Sequence, residues 1–134
     1  MAKKNDIIEV TIDELLFPNK GIGRFEDYKV TVKNTLPCEK VRARIIKKKN
    51  GNLEARLDEV LEKAPYETEP KCSHFDICGG CSYQNISFEK ENEIKETQVL
   101  KLLENAGIKD FIYDGIETSP VLEGYRNKCE FSFG

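Results

Sequence analysis

Three cysteines, Cys72, Cys78 and Cys81, fall within ten residues in the pattern Cys-x5-Cys-x2-Cys, with Gly79 and Gly80 inside the second interval. Three neighbouring thiolates suit a soft metal centre. Glycines let the backbone turn sharply around such a centre and bring amide N–H groups towards its sulfurs. Iron–sulfur sites often take three ligands from one loop and the fourth from a distant segment. Zinc is the first alternative, but a zinc ribbon would bring a second Cys-x2-Cys or a spaced histidine pair. The sole histidine, His74, stands too close to Cys72 for that. A thioredoxin-like redox pair is the second alternative. It needs a helix starting at the Cys-x2-Cys, whereas here the helical pattern begins later, near Ser87. Spacing alone ranks iron–sulfur ahead of zinc, and zinc ahead of redox-active or free thiols.

The chain that must position these thiols has 134 residues, 39% apolar and 34% charged, which describes one or two small globular domains. No stretch approaches the roughly 18 to 20 consecutive apolar residues of a membrane span, and the start, Met-Ala-Lys-Lys-Asn-Asp, has no secretory core. The expected location is the cytoplasm, where clustered cysteines bind metals more often than they pair, and an odd five cannot pair fully. The net charge of −3 divides unevenly at Pro65. Residues 1–64 hold 14 Lys+Arg against 11 Asp+Glu, or +3, and residues 65–134 hold 7 against 13, or −6. So small a basic excess also fits an ordinary solvated face.

From Ile8 to Val60 the apolar pattern has period two. Ile8, Val10 and Ile12 share a face, as do Tyr28, Val30 and Val32; so do Val41, Ala43 and Ile45, and then Leu53, Ala55 and Leu57. Asn50-Gly51 predicts a tight hairpin turn, and Gly21-Ile22-Gly23-Arg24 predicts a glycine bend feeding a short strand that ends at Phe25. About five short strands without a helix predict a small closed or partly open all-β barrel of the OB type, because closure removes the edges of so small a sheet. The expected module occupies 1–64, with strands from 7 to 61.

Pro65 to Pro70 reads as a linker that, with the cysteine loop, makes a segment at 65–84. A helix follows, with Ser87 as N-cap, Glu89 and Glu91 in its first turn and Gly107 at its C-terminal end. Ile94, Val99, Leu102, Leu103 and Ala106 form its expected packing stripe. Tyr125 to Phe133 alternates again and predicts a strand. One helix and one strand cannot build a core, so residues 85–134 are expected to begin a larger, incomplete α+β central domain.

Cys72-x5-Cys78-Gly-Gly-Cys81-x2-Gln84, preceded by the β module and followed by Gly124-Tyr125-Arg126-Asn127-Lys128, resembles the iron–sulfur members of the RNA uracil-C5 methyltransferase family. The first module resembles their TRAM domain, an OB-like RNA-binding barrel, through Gly21-Ile22-Gly23-Arg24 and Leu36-Pro37-Cys38-Glu39-Lys40-Val41-Arg42-Ala43-Arg44. The resemblance runs the whole chain. It implies methyl transfer from S-adenosylmethionine to C5 of a uridine in ribosomal or transfer RNA, ribosomal ahead of transfer. A cysteine thiolate would add to C6 and a base would remove the C5 proton. In the family those groups belong to a carboxy-terminal α/β domain, so no catalytic residue is assigned here, Cys38 and Cys129 included, and 1–134 alone is expected to be inactive.

The resemblance implies a 4Fe–4S cluster on Cys72, Cys78 and Cys81, with a structural role, since this methyl transfer requires no electron. Its fourth cysteine is expected beyond Gly134. Cys129 matches a position of non-ligand residues and is read as an ordinary half-buried cysteine, with substitution as the fourth ligand the lesser alternative; Cys38 occupies a turn position where relatives often carry glycine and is read as a free thiol. Arg42, Arg44 and Lys48 share a strand face, extended by Lys20, Arg24, Lys47 and Lys49, and this face is expected to meet RNA phosphates. Phe25 and Tyr28 flank a hairpin turn where bases could stack, although both fit a core role better. RNA is the expected partner, and the chain is expected to be monomeric. The readings from other classes are a free-standing TRAM-type RNA-binding protein with a structural metal loop, and a zinc-stabilised interaction module.

Overall fold

The computed structural model describes residues 2–75, 77–78, 80–131 and 133. Five strands, β1 (Ile7–Leu16), β2 (Lys20–Phe25), β3 (Tyr28–Lys33), β4 (Lys40–Lys49) and β5 (Asn52–Glu62), close into a barrel in the order β1-β2-β3-β5-β4. Four pairings are antiparallel, and β3 with β5 is parallel, aligning Val30 with Leu53 and Val32 with Ala55. The period-two pattern fills the interior as expected: Val30, Val32, Val41, Ala43, Ile45 and Leu53 are fully buried. Val10 and Ile12 join them from β1, and Ala2 is buried in the same core. Breaks in register between Ile12 and Glu14 and at three places along β4 and β5 give the long strands the curvature that closure requires.

Gly21-Ile22-Gly23-Arg24 is not a bend. It lies inside β2, and its glycines serve close approach instead. A Cβ on Gly21 would stand 1.8 Å from Thr35 Oγ1, and one on Gly23 would stand 2.4 Å from both the Thr11 carbonyl oxygen and Val10 Cγ1. Asn50 and Gly51 do form the β4–β5 turn, with φ of 49° and 77°.

The helix, α1 (Phe88–Asn105), begins where Ser87 Oγ accepts the Lys90 N–H at 3.2 Å. Glu89 and Glu91 occupy its first turn. It ends in a Schellman pairing, Gly107 N–H to Glu104 O and Ile108 N–H to Leu103 O, with Gly107 at φ +78°. The expected packing stripe is only partly covered. Ile94 and Gln98 are the buried positions, while Val99 and Leu102 are exposed. Ile94 joins Leu15, Leu36 and Ile86 in a second core, flanked by Tyr66 and Tyr83, which seats the helix on the barrel. Each such apolar side chain contributes about 1.5–3 kcal/mol. Gln98 is buried because its Nε2 donates to the Leu15 carbonyl at 3.4 Å, and Lys101 pairs with Glu14 across the same junction.

The strand expected over Tyr125–Phe133 does not form: the described residues of that segment are exposed and join no β-ladder, and Ser132 lies outside them. A strand is defined by its neighbour, and no described strand lies beside this one. Among the described residues, no helix is long and apolar enough to cross a membrane.

Candidate metal centre and basic barrel face

The cysteine loop is pinched at its root. Glu67 and Ile86 form an antiparallel bridge, and the Thr68 N–H donates to the Asn85 carbonyl at 2.7 Å. The root is also tied to the barrel turn before β4, where Tyr66 O–H donates to the Pro37 carbonyl. In that turn Cys38 adopts φ of 75°, a conformation favouring glycine, and its thiol is free and exposed. Next to it Glu39 is buried, its Oε1 accepting the Leu36 N–H at 2.6 Å. Burial, reinforced by the charge of Glu67 beside it, raises the Glu39 carboxyl from 4.5 to about 7.

Within the loop, Cys72 O accepts the Phe75 N–H at 3.2 Å and His74 O accepts the Cys78 N–H at 2.8 Å. Each of the three predicted sulfurs accepts an N–H group: Cys72 Sγ from His74 N at 3.4 Å, Cys78 Sγ from Gly80 N at 3.3 Å, and Cys81 Sγ from Gln84 Nε2 at 3.2 Å. A Cβ on Gly80 would stand 3.4 Å from Cys78 Sγ, an ordinary van der Waals contact. Gly79 lies outside the described residues.

N–H donors aimed at sulfur are the hydrogen bonds that metal-bound sulfurs accept, and the donor set therefore fits a thiolate-bound metal group. Among the described residues, no three His, Cys, Asp or Glu side chains are gathered to hold a single ion. The His74 ring lies 3.4 Å from Ser73 Oγ, and this residue serves the sulfurs through its backbone N–H alone among the described hydrogen bonds. Cys129 is exposed rather than half-buried, and it is remote in sequence from the loop.

The cations expected on one face do not all share it: the register shift between Ile45 and Lys47 sets Lys48 opposite the inward-facing Leu53, away from Arg42 and Arg44, and the cations divide further into paired and unpaired members. Arg42 is held by Glu59 at 3.0 Å and Glu9 at 3.8 Å, and Lys40 also faces Glu9. Arg44 donates to the Asn5 carbonyl at 3.5 Å, and Lys48 donates to the Ala2 carbonyl while its ammonium covers the Tyr28 ring at 5.0 Å. Lys20, Arg24, Lys47 and Lys49 have no carboxylate partner among the described residues. Strand pairing sets Arg24 opposite Lys29, Lys29 beside Asn52 and Asn52 opposite Lys49, one row across three pairings. Lys20 stands opposite Lys33 in a second row, and Arg44 opposite Arg56 in a third.

Lys29, Lys33 and Arg56 were not among the residues singled out from the sequence. Their signal lies in the pairing register, which a linear pattern does not contain. Phe25 and Tyr28 are half-buried against the barrel core, in keeping with a core role.

Residues 2–57 match the family model described as the TRAM domain. The chain is 46% identical over 131 residues to an uncharacterized RNA methyltransferase of Caldanaerobacter subterraneus subsp. tengcongensis, an alignment covering 98% of this chain and 29% of that protein. It is 42% identical over 134 residues to one of Clostridium acetobutylicum, covering 100% and 29%, and 44% identical over 132 residues to one of Clostridium tetani, covering 98% and 29%. The chain thus spans under a third of the length of these curated relatives. A closed five-stranded barrel with rows of outward cations, a cysteine loop and a family match agree: residues 2–57 are a TRAM domain, and the whole chain is homologous to proteins named RNA methyltransferases.

Proposed function

We propose that this chain is the RNA-holding and metal-loop portion of an enzyme that moves a methyl group from S-adenosylmethionine to C5 of a uridine, in ribosomal RNA ahead of transfer RNA, in the cytoplasm. The observation that carries the RNA part is the row Arg24–Lys29–Asn52–Lys49, whose three cations have no carboxylate partner among the described residues. Cations at strand spacing neutralise successive phosphates without reading bases. Lys20 and Lys33 extend this face. Arg42 contributes less, because its guanidinium is already shared between Glu9 and Glu59.

Cys72, Cys78 and Cys81 would hold a 4Fe–4S cluster whose fourth ligand comes from another segment. When bound, the cluster supplies rigid covalent anchorage for the loop rather than an electron. The chain's own residues do the positioning: the Glu67–Ile86 bridge fixes the loop root, and Tyr66 and Tyr83 tie it to the barrel. Residues 85–134 would begin a larger central domain. Among the described residues, twelve of the sixteen exposed large apolar side chains, from Val99 to Phe133, lie in this part, which is the distribution expected of a surface awaiting the rest of its core.

The test is RNA affinity against salt for wild type, Arg24→Ala/Lys29→Ala and Arg42→Ala. Losing two phosphate contacts to single-stranded RNA should reduce the slope of log K against log salt by about 1.4, at about 0.7 per contact, while Arg42→Ala changes it less. An unchanged slope in the double variant refutes this face. Anaerobic purification tests the loop: a brown protein with iron and sulfide supports the cluster, and a colourless one with stoichiometric zinc refutes it.

A further inference from the structure

Gln84 bridges the two ends of the cysteine triad with one side chain. Its Oε1 accepts the Cys72 backbone N–H at 3.1 Å, and its Nε2 donates to Cys81 Sγ at 3.2 Å. The other two sulfurs take their donors from backbone amides of their own turns, His74 and Gly80. Among the described residues, Cys81 is therefore the one triad sulfur served by a side chain.

The backbone on either side of Gln84 is anchored. Tyr83 O–H donates to the Pro18 carbonyl at 2.9 Å, tying residue 83 to the barrel. Asn85 Nδ2 donates to Glu67 Oε1 at 3.1 Å, and the Asn85 carbonyl accepts the Thr68 N–H, tying residue 85 to the loop root. Gln84 is held between two fixed points and turned into the loop. A planar amide has a fixed separation between donor and acceptor, so it transmits a definite distance from the Cys72 backbone to the Cys81 sulfur. Closing a flexible loop of this length costs chain entropy, and a clamp that closes it beforehand removes that cost from metal binding.

We propose that Gln84 is the positioning residue of the cysteine centre, setting the Cys72-to-Cys81 separation before a metal arrives and donating a hydrogen bond to the Cys81 sulfur once it is bound. This inference rests on the reading of the loop as a metal centre. Binding replaces each S–H bond by an S–metal bond, the proton leaving to solvent.

The experiment uses the 134-residue chain, Co2+ as probe, and the variants Gln84→Ala and Gln84→Glu. Gln84→Ala removes both contacts. Amide exchange at Cys72 in the metal-free protein should accelerate, and Co2+ affinity should fall about 10–100-fold, as for other residues that orient metal ligands. Gln84→Glu keeps the oxygen that accepts the Cys72 N–H and loses the donor to Cys81. It should leave Cys72 exchange at the wild-type rate but shift the sulfur-to-cobalt charge-transfer band to longer wavelength, because an unbonded thiolate donates its electrons more easily. The barrel should melt as in wild type in both variants. If Gln84→Ala matches wild type in Cys72 exchange and in Co2+ affinity, the clamp is refuted. If wild type itself shows no thiolate–cobalt band, the metal-centre reading falls, and the positioning role with it.

Discussion

Replacing Glu39 by glutamine should make the protein more stable at alkaline pH and remove a pH dependence that wild type carries. Glu39 is 2% exposed, accepts the Leu36 N–H, and has the Glu67 carboxylate as a hydrogen-bonding and repulsive neighbour, with Lys63 as a weaker compensating charge. Its carboxyl lies at about 7 in the folded chain against 4.5 ordinarily, burial being the largest cause. Between those values the folded state keeps a proton that the unfolded state has lost. Stability therefore falls as pH rises from about 4.5 to about 7 and levels off above, a loss of about 3 kcal/mol at about 1.4 kcal/mol per pH unit. Glutamine keeps the acceptor for Leu36, supplies an N–H towards Glu67 and cannot ionise. The stability gap between Glu39→Gln and wild type should widen by about 2.5 kcal/mol from pH 5 to pH 8. Urea denaturation at half-unit pH intervals reads this as a midpoint difference growing by about 1–2 M. A gap that stays constant across the range would show that Glu39 ionises normally in the folded protein and refute the reasoning.

Gly23→Ala should cost at least about 2–3 kcal/mol in thermal or denaturant unfolding, because the new methyl meets the backbone oxygen of Thr11, a residue paired with Lys40 in the β1–β4 ladder. Gly51→Ala, whose Cβ meets open space, should cost only the roughly 1–2 kcal/mol of a left-handed conformation. Ser87→Ala should remove the cap on Lys90 N–H and lower stability by about 1 kcal/mol, with faster amide exchange confined to the first turn of α1.

The barrel was readable because its strands bury one face each, so Val30, Val32, Val41, Ala43 and Ile45 announce themselves by alternation. The helix was readable from its terminal chemistry at Ser87 and Gly107. The glycine motif predicts a bend yet lies within β2, because close packing against Thr35 and Thr11 leaves the same sequence trace as a turn. The three thiols stood out by spacing, but the groups that serve their sulfurs did not: Gln84 and the amides of His74 and Gly80 become partners only through loop geometry. The cation rows were half-visible. Arg24 was identified and Lys29 was not, because what joins them is a cross-strand register. Arg42 looked as available as its neighbours, because Glu9 and Glu59 reach it from other strands.

The parallel pairing of β3 with β5 bears on the order in which the barrel can assemble. Hairpins β2–β3 and β4–β5 each join neighbours across a short turn, and β1 adds to β2 locally. The β1–β4 pairing joins residues 7–11 to 40–44, and the β3–β5 pairing carries the chain across the barrel to align 29–32 with 52–55. These non-local pairings bear the loop-closure entropy and should form late and together. On a ribosome, the cation row from Arg24 through Lys29 to Lys49 cannot exist until β5 has emerged. A nascent chain released before Ala55 would carry most of the basic residues, yet not the surface they make.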